Sequence, residues 1–119
     1  MLSTLNLEDK PIKDLASRTC FACEGGTPAM PHKDIAKYSV EISDGWKVIK
    51  DHSIKREFSF KDFKEAMKFV NSVADIANQQ GHHPDIYIFY SIVQIELYTH
   101  AVDGLSENDF IMASKIDKI

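Results

Sequence analysis

Phe60-Lys61-Asp62-Phe63-Lys64-Glu65-Ala66-Met67-Lys68-Phe69-Val70-Asn71-Ser72-Val73-Ala74-Asp75-Ile76-Ala77-Asn78-Gln79-Gln80-Gly81 is the most strongly periodic stretch of the chain. Phe60, Phe63, Met67, Val70, Ala74 and Ala77 recur at spacings of three and four, which puts them on one stripe of an amphipathic helix. Ser59 is placed to cap that helix, with Asp62 at its third position and Phe58 and Phe63 as a hydrophobic staple. Gly81 stops it, because glycine tolerates the left-handed conformation in which many helices end. The spacing therefore predicts a helix over about 60–80.

The flanks change period. Downstream, Ile86 to Tyr90 and Val93 to Thr99 are rich in β-branched and aromatic residues and read as strands. Val93, Ile95, Leu97 and Thr99 alternate with Gln94, Glu96, Tyr98 and His100, the pattern of a sheet with one face on a core. The Ser91-Ile92 turn between them lacks the usual Asn-Gly chemistry. Upstream, Trp46 to Ile49 and Ile54 to Phe58 read as two short strands, joined by a hairpin turn over Lys50-Asp51-His52-Ser53. Pro31 opens a weak first helix to about Val40, with Ile35 and Tyr38 on one face. Ser106 and Asp109 form a capping box, and Leu105 and Phe110 a staple, for a last helix that turns Phe110, Ala113 and Ile116 inward. The order helix, two strands, long helix, two strands, helix predicts an α+β domain: a four-stranded antiparallel sheet with about three helices packed on one face.

Residues 1–30 lack sustained apolar periodicity and hold Pro11, Gly25, Gly26 and Pro28. They read as a loosely ordered extension, with the folded unit at 31–119. A length of 119 residues suits one domain. Hydrophobic residues at 44% and charged residues at 27% give an ordinary globular mix, which argues against wholesale disorder. Fourteen basic against eighteen acidic side chains give a formal charge of −4, and no window is strongly basic. A nucleic-acid binder is not expected on that balance. The basic residues Lys61, Lys64 and Lys68 interleave with acids, as on a solvated helix face. No apolar run reaches the length of a membrane span, and residues 1–10 do not read as a signal peptide. With only two cysteines, a reducing cytoplasm is the expected location.

Three of the five histidines sit where elements end. His82 and His83 follow the long helix, and His100 ends the last strand. Adjacent residues share a site only on irregular backbone, which Pro84 supplies by biasing His83 away from helix. A helix C-terminus carries partial negative charge and favours a protonated imidazolium nearby, so His82 is a candidate proton donor. A histidine after a helix is commonly just a cap; three that can converge tilt the balance towards a site. Asp109 is explained by the capping box alone, yet a carboxylate there can also orient His100 across the Ala101–Leu105 loop. Three imidazoles plus water make a catalytic zinc site in other proteins, but no HExxH-type spacing is present, and metal is the minority reading. Cys20-Phe21-Ala22-Cys23 is a lone CxxC. It precedes no βαβ pattern and lacks a second pair, although His32 can in principle add a zinc ligand; incidental cysteines in the extension are the simplest account.

Trp46 to Ile116 closely resembles the pterin-4a-carbinolamine dehydratase family. The likeness runs through Phe58-x-Phe60-x-x-Phe63-x-x-Ala66-x-x-Phe69, Gly81-His82-His83-Pro84-Asp85, Tyr90, Val93-x-Ile95-x-Leu97-x-Thr99-His100 and Gly104-Leu105-Ser106-x-x-Asp109. Bacterial-type members carry a similar paired-cysteine leader. The resemblance implies dehydration of 4a-hydroxytetrahydropterin, released by aromatic amino-acid hydroxylases, to the quinonoid dihydropterin, with no metal or redox cofactor. It implies His82 and His100 as acid–base residues and His83 as the residue that positions the pterin. Asp109 would orient His100, and Pro84 and Thr99 would shape the pocket. Where the family usually has an ionisable residue four before the first histidine, this chain has Asn78, which hydrogen-bonds without charge. The family also implies a homodimer or homotetramer with sheets joined edge to edge. Some animal members serve as dimerisation cofactors for a homeodomain transcription factor, so a non-catalytic interaction protein is the alternative.

Overall fold

The computed structural model describes residues 12–119. Its elements are α1 (His32–Ser39), β1 (Lys47–Ile49), β2 (Ser53–Ser59), α2 (Phe63–Gln80), β3 (Asp85–Phe89), β4 (Ile92–Leu97) and α3 (Glu107–Ile116), preceded by a short 3-10 turn at Leu15–Ser17. The strands form one antiparallel sheet in the order β1-β2-β4-β3. The α+β order expected from the periodicities is the order observed.

Alternation sets the sheet's inner face. Ile54 on β2 pairs with Leu97 on β4, and Arg56 with Ile95. Val93, Ile95, Leu97 and Thr99 are all buried, as their spacing predicts. The β1–β2 hairpin turns through Lys50 and Asp51, both at positive φ, the twist that a tight antiparallel turn requires. Asp117, just past α3, ties the first hairpin to the last helix: it accepts from the Trp46 indole at 2.8 Å and from the Ser43 backbone N–H at 2.8 Å, and it pairs with Arg56.

Helix α2 differs from the sequence expectation in start and in face. Ser59 is still in β2, paired with Ile92, so the helix begins at Phe63. The cap is Asp62, whose side chain accepts from the Glu65 N–H at 2.9 Å. The buried stripe is Ala66, Phe69, Val70, Val73 and Ala77. Phe63 is 48% exposed and stacks on Tyr90 instead. Two helical stripes one residue apart fit this apolar run, and the choice is made by Phe58, near the end of β2, and Phe60, just beyond it, which pack on Phe69 with ring centroids at 4.5 and 5.0 Å. Gly81 does end the helix in the left-handed region, at φ 65°.

Helix α3 starts with the expected capping box of Ser106 and Asp109. It is buried nearly all round: Ile111 and Met112 are as inaccessible as Phe110, Ala113 and Ile116. A helix apolar on every side needs cover on every side. The sheet and α2 supply one flank, α1 another through Tyr38 on Phe110, and the chain before residue 31 the remainder. Leu15 is only 3% exposed, Lys115 Nζ donates to the Ala16 carbonyl at 2.8 Å, and Met30 N–H donates to the Leu105 carbonyl at 2.8 Å. Gly104 lets this pairing close, since a Cβ there would lie 2.6 Å from the Cβ of Ala29. The expected loose extension lies outside the described residues for 1–11. From residue 15 to 30 it is held by point contacts, which leave no periodic signal in sequence.

Candidate active site

The end of α2 and the end of β4 meet beside the start of α3. Gly81 turns the chain out of α2, and Pro84 follows directly, so His82 and His83 sit on irregular backbone as expected. Thr99 closes an isolated bridge with Gly104, and His100 opens a short 3-10 turn beyond it. Between these corners lies a cavity of about 400 Å³. His82, His83, Pro84, Thr99 and His100 all line it, together with Tyr98 and, from the N-terminal segment, Phe21 and Cys23.

Asp109 is the anchor below the cavity. It is fully buried, and its Oδ1 accepts from His82 Nε2 at 2.6 Å. Its Oδ2 accepts from the Thr99 hydroxyl at 2.8 Å and from the Ser106 backbone N–H at 3.0 Å. Three donors around one buried carboxylate satisfy it, which is the condition for burying a charge at all. The His82 side chain is 12% exposed, so a ring fixed at one nitrogen still reaches the cavity. Where the resemblance implied a contact from Asp109 to His100, the carboxylate is hydrogen-bonded to His82 instead. The bridge at Thr99 carries His100 past the helix start, where its ring lies tilted against that of Tyr98. His52, Tyr98 and His100 follow one another with ring centroids at 4.7 and 4.3 Å, and His52 Nε2 lies 3.0 Å from Asp103 Oδ1. His83 Nε2 donates to Asn78 Oδ1 at 3.1 Å, so Asn78 faces a site histidine rather than solvent alone.

The cysteines are not incidental. Asn108, the neighbour of Asp109 and itself buried, clasps the backbone of Phe21: its Nδ2 donates to the Phe21 carbonyl at 2.6 Å and its Oδ1 accepts from the Phe21 N–H at 3.1 Å. Cys20 N–H donates to Gln80 Oε1 at 2.8 Å, while Cys20 Sγ lies 3.7 Å from the Asn108 carbonyl and Cys23 Sγ 3.6 Å from Asn108 Nδ2. Burial pushes the Cys20 thiol up to about 11, so it packs as a neutral thiol. His32 pairs with Asp51 at 2.9 Å rather than with the cysteines, and among the described residues no three His, Cys, Asp or Glu side chains converge on a metal position. Tyr98 and Asn108 escaped sequence reasoning, with no motif to mark them; Phe21 and Cys23 lie in the CxxC, which sequence reasoning set aside as incidental, and only the fold brings all four to the cavity.

Fold and cavity together define a small α+β domain with a histidine-lined pocket over a buried carboxylate. The family model described as pterin 4 alpha carbinolamine dehydratase matches residues 28–119. The chain belongs to the pterin-4a-carbinolamine dehydratase family. It is 44% identical over 107 residues to a protein of Alkaliphilus metalliredigens, covering 90% of this chain and 96% of that one, whose provisional name is pterin-4-alpha-carbinolamine dehydratase. It is also similar to the crystal structure of a transcriptional coactivator/pterin dehydratase from Brucella melitensis, with TM-score 0.71 and 31% identity, over 76% of this chain and 96% of that one. A pterin dehydratase-like protein identified as a RuBisCO assembly factor in the alpha-carboxysome shares the fold, with TM-score 0.54 and 21% identity over 62% of this chain and 87% of that one. No helix among the described residues is long and apolar enough to cross a membrane.

Proposed function

We propose that this protein dehydrates 4a-hydroxytetrahydropterin to the quinonoid dihydropterin by histidine acid–base catalysis. The observation that carries the reading is the His82–Asp109 pair at 2.6 Å, opening on a cavity that His83 and His100 also line. In the reaction the C4a–O bond breaks as the leaving hydroxyl takes a proton. A ring nitrogen gives one up, and its electron pair closes a C=N bond to C4a; water is the only other product. His82, with its Nε2 proton directed at Asp109, has Nδ1 to take a proton and return it. His100 serves the complementary transfer, and His83, steadied by Asn78, positions the pterin. Two placed proton-transfer groups supply about 10²–10⁴-fold each. The setting is the recycling of tetrahydropterin after aromatic amino-acid hydroxylation, in the cytoplasm.

The test generates the 4a-carbinolamine with an aromatic amino-acid hydroxylase and follows its decay with and without this protein. Faster decay that survives exhaustive chelation is the expected result. No acceleration would favour the alternative, a non-catalytic interaction protein on this fold. Activity lost to chelation and restored by zinc would overturn the acid–base reading.

The same proposal includes self-association. The outer strand β3 exposes Tyr87, Ile88 and Phe89, and Tyr90 and Phe63 continue the patch. An edge strand with free backbone donors and acceptors pairs readily with its own copy under twofold symmetry. Light scattering at micromolar concentration is expected to give a dimer or tetramer; a monomer would remove this part of the reading.

A further inference from the structure

The family model begins at residue 28, yet one wall of the cavity comes from residues before it. Phe21, Ala22 and Cys23 form that wall. They are pinned to the two elements that carry the site chemistry. Gln80, which accepts from Cys20 N–H, ends α2 two residues before His82; Asn108, which clasps Phe21, precedes Asp109. Cys23 Sγ lies 3.8 Å from the hydroxyl of Ser106, the residue that caps α3. The strap is therefore registered against both sides of the histidine site, by backbone hydrogen bonds that leave the Phe21 side chain unspent. Phe21 is 53% exposed while lining the cavity. A large apolar ring left half open at a pocket mouth is an unfilled contact, and a flat heteroaromatic ligand is the shape that fills it.

We infer that Phe21 is a substrate-binding residue, packing on the pterin ring, and that Asn108 is the positioning residue that sets it there. The inference rests on the pterin reading above and adds to it a contact supplied by the N-terminal segment. The strap moves no proton, so its contribution is to binding in ground state and transition state alike. Such uniform binding changes KM and leaves kcat alone.

The experiment uses the whole chain and two readouts: steady-state dehydration, and calorimetric titration with a 7,8-dihydropterin, which is not turned over. Phe21→Ala is expected to raise both KM and the dihydropterin Kd about three- to tenfold, the worth of one aromatic face, with kcat within about twofold. Phe21→Tyr, which keeps the ring, is expected to restore both. Asn108→Ala is expected to weaken binding by a similar factor and to speed alkylation of Cys23 as the strap comes away. Because Asn108 is buried, Phe21→Ala carries the decision, and its half-open side chain is replaceable without unfolding the domain. Wild-type protein that binds and turns over pterin, with Phe21→Ala unchanged in KM and Kd, would overturn the wall while leaving the proposed function intact. A fall in kcat with unchanged Kd would also overturn it. Wild-type protein that neither binds dihydropterin nor speeds dehydration would overturn both readings.

Discussion

His82→Ala is expected to lower kcat about 10²–10⁴-fold while KM stays close to wild type. The imidazole is held at one end by Asp109 and meets the cavity at the other, so its loss removes a proton path and little contact area. His100→Ala is expected to cost turnover in the same sense. The double variant of His82 and His100 should approach the uncatalysed rate, since the remaining cavity only binds. His83→Ala is the contrast: its ring, hydrogen-bonded to Asn78, is assigned to positioning, so KM should rise more than kcat falls. Steady-state kinetics on the enzymatically generated carbinolamine separates these outcomes. A double variant with near-native turnover would make the histidines structural.

Asp109→Ala is expected to be the most destabilising single change in the site. The carboxylate is fully buried and satisfies the His82 ring, the Thr99 hydroxyl and the Ser106 N–H. Removing it takes the acceptor from the His82 ring and the Ser106 N–H, leaves the Thr99 hydroxyl only the Ser106 hydroxyl, and abolishes half of the α3 capping box. Leaving a buried donor unsatisfied costs about 1–3 kcal/mol, so the loss is a large share of a small domain's stability. Urea unfolding measures the loss as a lower midpoint at unchanged slope. Asp109→Asn keeps the volume and one acceptor, so it should fold better than the alanine variant. It should still lose turnover, because an amide neither fixes the His82 proton nor balances a charged ring. Equal stability of Asp109→Ala and wild type would mean that the network beneath the cavity does not form.

How much of this was legible beforehand depends on how each residue is held. Val93, Ile95 and Leu97 announce their burial because a strand repeats every two residues, and one face of β4 meets the core. The capping box at Ser106 and Asp109 was legible for the same reason, a fixed spacing tied to a fixed geometry. Helix α2 was legible as a helix but not in its face. Periodicity within the helix fits two stripes, and the contacts of Phe58 and Phe60 with Phe69, which lie outside it, choose between them. The histidine cluster could be read from the ends of elements, whereas the partner of Asp109 could not. Whether a carboxylate at the start of α3 meets the chain leaving α2 or the chain leaving β4 depends on how the helices cross the sheet, not on any local pattern. The strap at Phe21 is the extreme case. Its hold on the protein is a side-chain amide, two thiols and one glutamine, contacts with no period at all.

Asp109 also sets terms for how a chain with this architecture changes over generations. The same carboxylate that holds the His82 ring through Oδ1 caps, through Oδ2, a helix that is buried nearly all round. Selection for folding therefore guards this carboxylate even when selection for turnover is relaxed. His82 has a smaller second role, as one of three donors to that carboxylate; its ring lies at the cavity, and the helix before it is already ended by Gly81. A lineage that abandoned chemistry for a purely associative role would be expected to let the histidines drift first and the aspartate last. An intact aspartate is then a record of the fold, and it is the imidazoles beside it that report whether chemistry is still in use.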